Sequence, residues 1–261
     1  MRLKGSIVLF SISLLLPSLL ITSCGDDPVS GLNKEDVPPP PNFNEIDMDL
    51  SVFDAALNSS SAMQSSNSYT EAAYTARAAE LSLTALATWP NILFQENQWG
   101  DAELRDGVFT WEYSYAFEGE GMSFVVTADE LANGDTDWQL RFSLQTAEDN
   151  IENALFLRAI ISADGQEGRW TIYNMDNPDE ALGTLTFEKE DDVPVYIKFE
   201  LSEDEFDASQ ILYEVDGTMS SLIFKDSGQT ESEIHWNNAT GSGCITKNGE
   251  ESCWNENYED Q

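Results

Sequence analysis

Residues 108–117 read Val-Phe-Thr-Trp-Glu-Tyr-Ser-Tyr-Ala-Phe, and their period is two. Phe109, Trp111, Tyr113, Tyr115 and Phe117 fall on one side of an extended chain, while Thr110, Glu112, Ser114 and Ala116 fall on the other. Such alternation marks a half-buried antiparallel strand, with one face in an apolar layer and one in water. Residues 138–145 repeat the pattern, setting Trp138, Leu140, Phe142 and Leu144 against Gln139, Arg141, Ser143 and Gln145.

Working outward from these two strands, similar segments are predicted near 122–128, 153–162, 168–174, 182–188, 195–201, 210–215, 218–225, 231–237, 242–247 and 250–255. Turn chemistry separates them. Asp216-Gly217 and Asn248-Gly249 both suit the two-residue type I′ hairpin. A parallel sheet needs long crossovers, and no helical segment of ten or more residues interrupts this half. The expected fold is therefore mainly β: an antiparallel meander forming a curved sheet or an up-and-down barrel.

Upstream the period changes. A short helix is expected around Val52, Phe53, Ala56 and Leu57, and a longer one over 70–88, rich in Ala and Leu and stopped by Pro90. Ala72, Ala76, Ala79, Leu83, Leu86 and Ala87 form a small-residue stripe suited to lying on a sheet. The domain reading is a leader (1–23), a Pro-rich tether (24–44), a helical segment packed on the sheet (45–100) and the β domain (101–261). The last two are expected to fold as one unit. The four consecutive prolines Pro38 to Pro41 stiffen the tether toward polyproline II.

The leader carries the clearest signal. Arg2 and Lys4 precede an apolar run from Ile7 to Ile21 that is interrupted by Pro17 and shorter than the ~20 residues a spanning helix needs. Ile21-Thr22-Ser23-Cys24 follows. This sequence resembles the lipobox of bacterial lipoproteins, with Ile21 where that family prefers Leu. The resemblance implies cleavage before Cys24, acylation of Cys24, and anchoring by two or three acyl chains. Gly25 stands at the second mature position, so the Asp that retains enterobacterial lipoproteins at the inner membrane is missing. Asp26 and Asp27 are similar to the surface-export signal of Bacteroidota lipoproteins. The tether, the single helical stretch, the Trp-rich strands (Trp99, Trp111, Trp138, Trp170, Trp236) and Cys253-Trp254 resemble uncharacterised envelope lipoproteins of that group. The implied location is the cell envelope, at the outer membrane, facing the periplasm or the surface.

Charge narrows the partners. The chain has 48 acidic residues against 12 basic ones and a net charge of −36, and the leader removes Arg2 and Lys4 from the basic side. Such a surface repels nucleic acid and anionic lipid, so no nucleic-acid role is expected. It fits either a saline habitat or a strongly solvated extracellular surface. With 41% hydrophobic and 11% aromatic residues, the chain can still build a core.

Cys244 and Cys253 bracket the Asn248-Gly249 turn. With a two-residue loop, Lys247 faces Glu250 and Cys244 faces Cys253 at a non-hydrogen-bonded pair, close enough for a disulfide. Export supplies an oxidising compartment, so the pair is expected to clamp the last hairpin.

Catalytic motifs are missing. His235 is the single histidine, and its neighbours Ile234 and Trp236 put it on the polar side of a strand beside Glu233 and Asn237. There is no GxSxG, HExxH or P-loop pattern, and a multi-histidine zinc site is impossible. No catalytic residue, cofactor or metal is assigned. Asn133, Asp135 and Asp137 are weak calcium candidates, as is the acidic loop of Asp176, Asn177, Asp179 and Glu180, although turn chemistry alone accounts for both. The aromatic strip of Phe109, Trp111, Tyr113, Tyr115 and Trp138 is core, or else the apolar ligand face of a cavity between sheet and helix. A sheet with a helical lid is similar in architecture to the lipoprotein carriers of the bacterial periplasm.

The expected function is thus a non-enzymatic binding or structural module, anchored by lipid. Its partner would be an apolar small molecule or lipid, or else an envelope protein or glycan. The alternative is a carboxylate-based hydrolase acting on envelope glycans.

Overall fold

Strand follows strand in chain order, each hydrogen-bonded antiparallel to the one before. The result is a single thirteen-stranded meander among the described residues. The structure is a computed structural model and describes residues 37–41, 47–57, 67–93, 102–117, 120–146, 150–174, 177, 180–201, 210–225 and 231–261. The leader, Cys24 and most of the tether lie outside these residues. The strands are β1 (Glu103–Arg105), β2 (Val108–Phe117), β3 (Glu120–Glu130), β4 (Thr136–Gln145), β5 (Asn150–Ile161), β6 (Glu167–Tyr173) and β7 (Ala181–Glu190). After them come β8 (Val193–Leu201), β9 (Gln210–Asp216), β10 (Met219–Lys225), β11 (Ser232–Asn237), β12 (Gly243–Lys247) and β13 (Glu250–Trp254).

Alternation gives the sheet an inner and an outer face. The inner face runs through Trp111, Val126, Trp138, Leu157, Trp170, Phe187, Ile197, Tyr213, Leu222, Trp236, Ile245 and Trp254, all buried. β-bulges interrupt the register between β4 and β5, between β6 and β7, and between β7 and β8. Each adds an unpaired residue and a local bend, which curves so long a sheet.

The barrel alternative fails, because the sheet stays open. Closure would require β1 to pair with β13, and β13 already has another neighbour on its free edge. The C-terminal tail folds back along it, forming a bridge between Trp254 and Asp260 and a hydrogen bond from the Gln261 N–H to the Cys253 carbonyl (3.0 Å). At the other end β1 is only three residues long and fully exposed, too short to extend the ladder.

One face of the helical region packs on the C-terminal strands. A 3-10 turn (Ser51–Phe53) leads into α1 (Asp54–Leu57), and α2 spans Ser68–Leu93 against β10 to β13. Ala72, Ala73, Ala76, Ala79 and Leu83 are buried at the contact, and their small side chains let the helix axis lie close to the sheet. The helix runs past Pro90, contrary to the expectation that it would stop there. Proline removes one N–H and crowds the preceding turn, and only the last three residues of the helix lie beyond it.

Aromatic side chains lock the helical region to the sheet. Phe53 meets Trp236 edge-on at 5.3 Å and Trp254 at 6.2 Å, while Tyr69 stacks on Tyr258 at 4.2 Å. The Tyr69 hydroxyl donates to the Val52 carbonyl (2.8 Å), and burial pushes its pKa up to about 12. Val37 packs against this same core and Pro41 is buried. Residues Leu32–Gln261 cluster as one compact unit.

Candidate functional site

The aromatic strip resolves into packing. Trp111 stacks on Phe109 (6.5 Å) and on Trp138 (5.6 Å), and both tryptophans are buried, at 7% and 1% exposure. Phe109 and Tyr113 are half-buried against the same core, and the Tyr115 side chain lies outside the described residues. Cross-strand register explains the closure. Trp138 pairs with Ala128 on one side and Ala159 on the other, and Ala159 pairs with Trp170, so large and small side chains alternate across the inner face.

An open cleft of about 500 Å³ lies elsewhere, at the ends of β2 to β5. Ser114, Ser123 and Ser143 stand in register there, one on each of three adjacent strands. Met122, Leu144 and Ile151 supply apolar surface, and Glu152 is a carboxylate on the rim. A bulge in β5 shapes one wall: Asn153 takes a positive φ of 51°, and its N–H donates to Ser143 Oγ at 2.9 Å. No histidine, lysine or arginine is among the described residues lining this cleft. Among the described lining residues no imidazole or amine stands beside the serines to act as the base that activates a nucleophile. The sequence holds the signal as outward-facing serines, which singly mean nothing; only the register brings them together.

The calcium candidates do not converge. Asn133 and Asp135 build their own turn: Asn133 Nδ2 donates to Asp135 Oδ2 (2.6 Å), and Asn133 Oδ1 accepts from the Asp135 N–H (3.3 Å). Asp137 lies in β4, buried, with both carboxylate oxygens facing Arg158 at 2.8 and 2.9 Å. The other acidic loop is closed by a bond from Asn177 Nδ2 to Glu180 Oε2 (3.2 Å), and Asp176 and Asp179 lie outside the described residues.

His235 is exposed, as its strand position implies, and pairs with Glu233 at 2.8 Å. Cys244 and Cys253 are joined, with Cα atoms 3.9 Å apart, in the register the turn demands. Glu251 gathers with the two sulfurs within 4.8 Å, but sulfurs bonded to each other offer no thiolate to a metal.

The outer face was not singled out by the sequence reading. Between β4 and β8 it carries Gln139, Arg141, Arg158, Arg169, Thr171, Thr184, Thr186 and Lys198, with Asp137 and Glu200 engaged in ion pairs to Arg158 and Lys198 and with Glu167 and Glu188 exposed beside Arg169. This is a broad hydrogen-bonding surface with cations on an otherwise acidic chain.

The chain matches no protein-family model, no curated protein and no solved structure.

Proposed function

We propose that this chain is a lipid-anchored protein of the bacterial envelope, held at the outer membrane through acylated Cys24, and that its sheet is a non-enzymatic binding platform for an envelope partner. The anchor rests on the order of basic residues, apolar run and small-small-Cys triplet at 2–24. The observation that supports a platform is the division of labour between the sheet's faces. The inner face is spent on packing, with Trp138, Leu140, Leu157 and Trp170 at 1% exposure or less. That leaves the outer face and its strand-end cleft to meet a partner.

Carriage of an apolar molecule has less support. The strip of Phe109, Trp111, Tyr113 and Trp138 that would line a container is filled by its own neighbours. The cleft that is present is open and mixes serines with its apolar residues. For the hydrolase alternative, glycan cleavage by acid catalysis needs two facing carboxyls. Glu152 is the one carboxylate among the described lining of the cleft.

The test expresses the full chain with its leader in a bacterial host. The N-terminal peptide is then analysed by mass spectrometry alongside fractionation. An acylated Cys24 in the membrane fraction, released to the soluble fraction by Cys24→Ser, is the expected result. An unmodified Cys24 on a soluble protein overturns the anchor. Photo-crosslinkers placed at Thr184 on the outer face test the platform in the same cells. Adducts with an envelope component support it, and adducts confined to a control position at Ser82 on α2 overturn it.

A further inference from the structure

We infer that three arginines on the outer face, Arg141, Arg158 and Arg169, form a diagonal strip that binds a linear carboxylate-bearing polysaccharide. The inference deepens the binding-platform reading above and rests on it.

The strip follows from register. Arg158 on β5 pairs with Gln139 on β4 and with Thr171 on β6. Arg141 lies two residues beyond Gln139, and Arg169 two residues before Thr171, so the three occupy diagonal positions on consecutive strands. Diagonal neighbours sit about 7–8 Å apart at Cα, within reach of side chains as long as arginine. These are the only arginines after Arg105, and all three fall on this line.

Their partners are the anomaly. Carboxylates outnumber cations fourfold in this chain, 48 to 12. Elsewhere among the described residues five cations meet carboxylates, Arg77 with Glu80, Arg105 with Glu103 and Glu112, Lys198 with Glu200, Lys225 with Glu231, and Lys247 with Glu71, while Lys189 lies over the Phe187 ring. On the strip, among the described residues, the middle arginine alone has an ion pair with a carboxylate, that of Asp137. Arg141 donates to two neutral acceptors, the Asn153 carbonyl and Gln139 Oε1, both at 3.2 Å. Arg169 is exposed and makes no ion pair among the described residues. Among the described residues neither Arg141 nor Arg169 makes an ion pair, although Glu167 and Glu188 flank Arg169 in the register.

Guanidinium matches carboxylate through paired parallel hydrogen bonds, which favours a planar anion over a diffuse one. Gln139, Thr171 and Thr184 stand in the row through Arg158, each half-buried, and offer the amide and hydroxyl contacts that sugar hydroxyls take. The net charge of −36 decides the shape of the partner. An anionic membrane or duplex presents a wide charged surface that the whole protein repels. A single thin chain can follow the strip, with screening over ~8 Å hiding the surrounding acids.

The test uses affinity electrophoresis of the full acylated chain in non-ionic detergent. The probes are polygalacturonate, neutral dextran and poly-glutamate. Retardation by polygalacturonate alone is expected, fading as salt rises. Arg169→Gln should weaken it about tenfold without changing the thermal melt, and Arg141→Gln should weaken it as much while lowering the melt slightly, because it also loses the bond to the Asn153 carbonyl. Arg158→Gln is avoided, since it strands Asp137. No retardation by polygalacturonate, or retardation that ignores both substitutions, overturns the strip. Equal retardation by poly-glutamate overturns the glycan in favour of an acidic peptide. If the strip fails while crosslinks at Thr184 persist, the platform stands without it; if both fail, the platform reading falls too.

Discussion

Asp260 ties the chain's last residues to the start of α2. Its Oδ1 accepts from the Ser68 N–H (2.9 Å) and the Ser68 hydroxyl (2.6 Å), while Asn67 Oδ1 caps the Thr70 N–H at 3.0 Å. A carboxylate there satisfies otherwise unpaired N–H groups and favours the positive end of the helix. The same bonds from Ser68 hold the Asp260 carboxyl below its ordinary value. A depressed pKa means the contribution is present above the unfolded value near 4 and is lost as pH falls through the folded one. Asp260→Ala should cost about 0.5–1 kcal/mol at pH 7, discounted for an exposed pair, and much less at pH 2. Urea midpoints at the two pH values measure the difference. A second residue-scale test concerns Asp137. Arg158→Gln leaves a buried carboxylate without its cation and should cost about 1–3 kcal/mol. Adding Asp137→Asn should recover much of that loss in a double-mutant cycle. Neither contact was legible in the sequence: Asp260 and Ser68 are 192 positions apart, and Asp137 read as a turn acid because Asn133 and Asp135 precede it.

The strands were legible because their signal is local. Alternation located twelve of them within a few residues, and the thirteenth, β1, escaped because Glu103, Leu104 and Arg105 are all exposed and alternate nothing. The last hairpin was legible in full. Asn248 and Gly249 both take positive φ (55° and 79°), as a type I′ turn requires, and this places Cys244 opposite Cys253. The hairpin between β9 and β10 was misread by one residue: Asp216 pairs with Met219, so the loop is Gly217-Thr218. Only Gly217 has a positive φ (61°), in the first central position that a type II′ turn gives to glycine. The pattern could not have told the two apart. Moving a two-residue loop by one position shifts the pairing by two, and every side chain keeps its face. For the C-terminal hairpin, Cys244→Ser with Cys253→Ser should lower stability by about 2–3 kcal/mol, measured by denaturant unfolding of the oxidised parent against the variant. The strand content by circular dichroism should be unchanged, because the turn sets the register without the bridge.

Scale changes what the sequence can say. Face by face the pattern separated apolar from polar side chains, yet it could not tell a lined cavity from a filled core. That distinction depends on which strands lie opposite one another. Nor could it decide between barrel and open sheet. The tail along β13 that keeps the edge from pairing with β1 is a handful of polar residues with no periodicity. The outer strip was invisible for the same reason: Arg141, Arg158 and Arg169 are ordinary surface residues until the register aligns them. The central claim is that the inner face is core and the outer face meets the partner. Native mass spectrometry with lipid extraction of the exported Cys24→Ser chain tests it most directly. The account predicts an empty protein, lighter by two hydrogens for the Cys244–Cys253 bridge, with no apolar molecule in the extract. A stoichiometric lipid or other apolar molecule released from that protein would contradict it and turn the sheet back into a container.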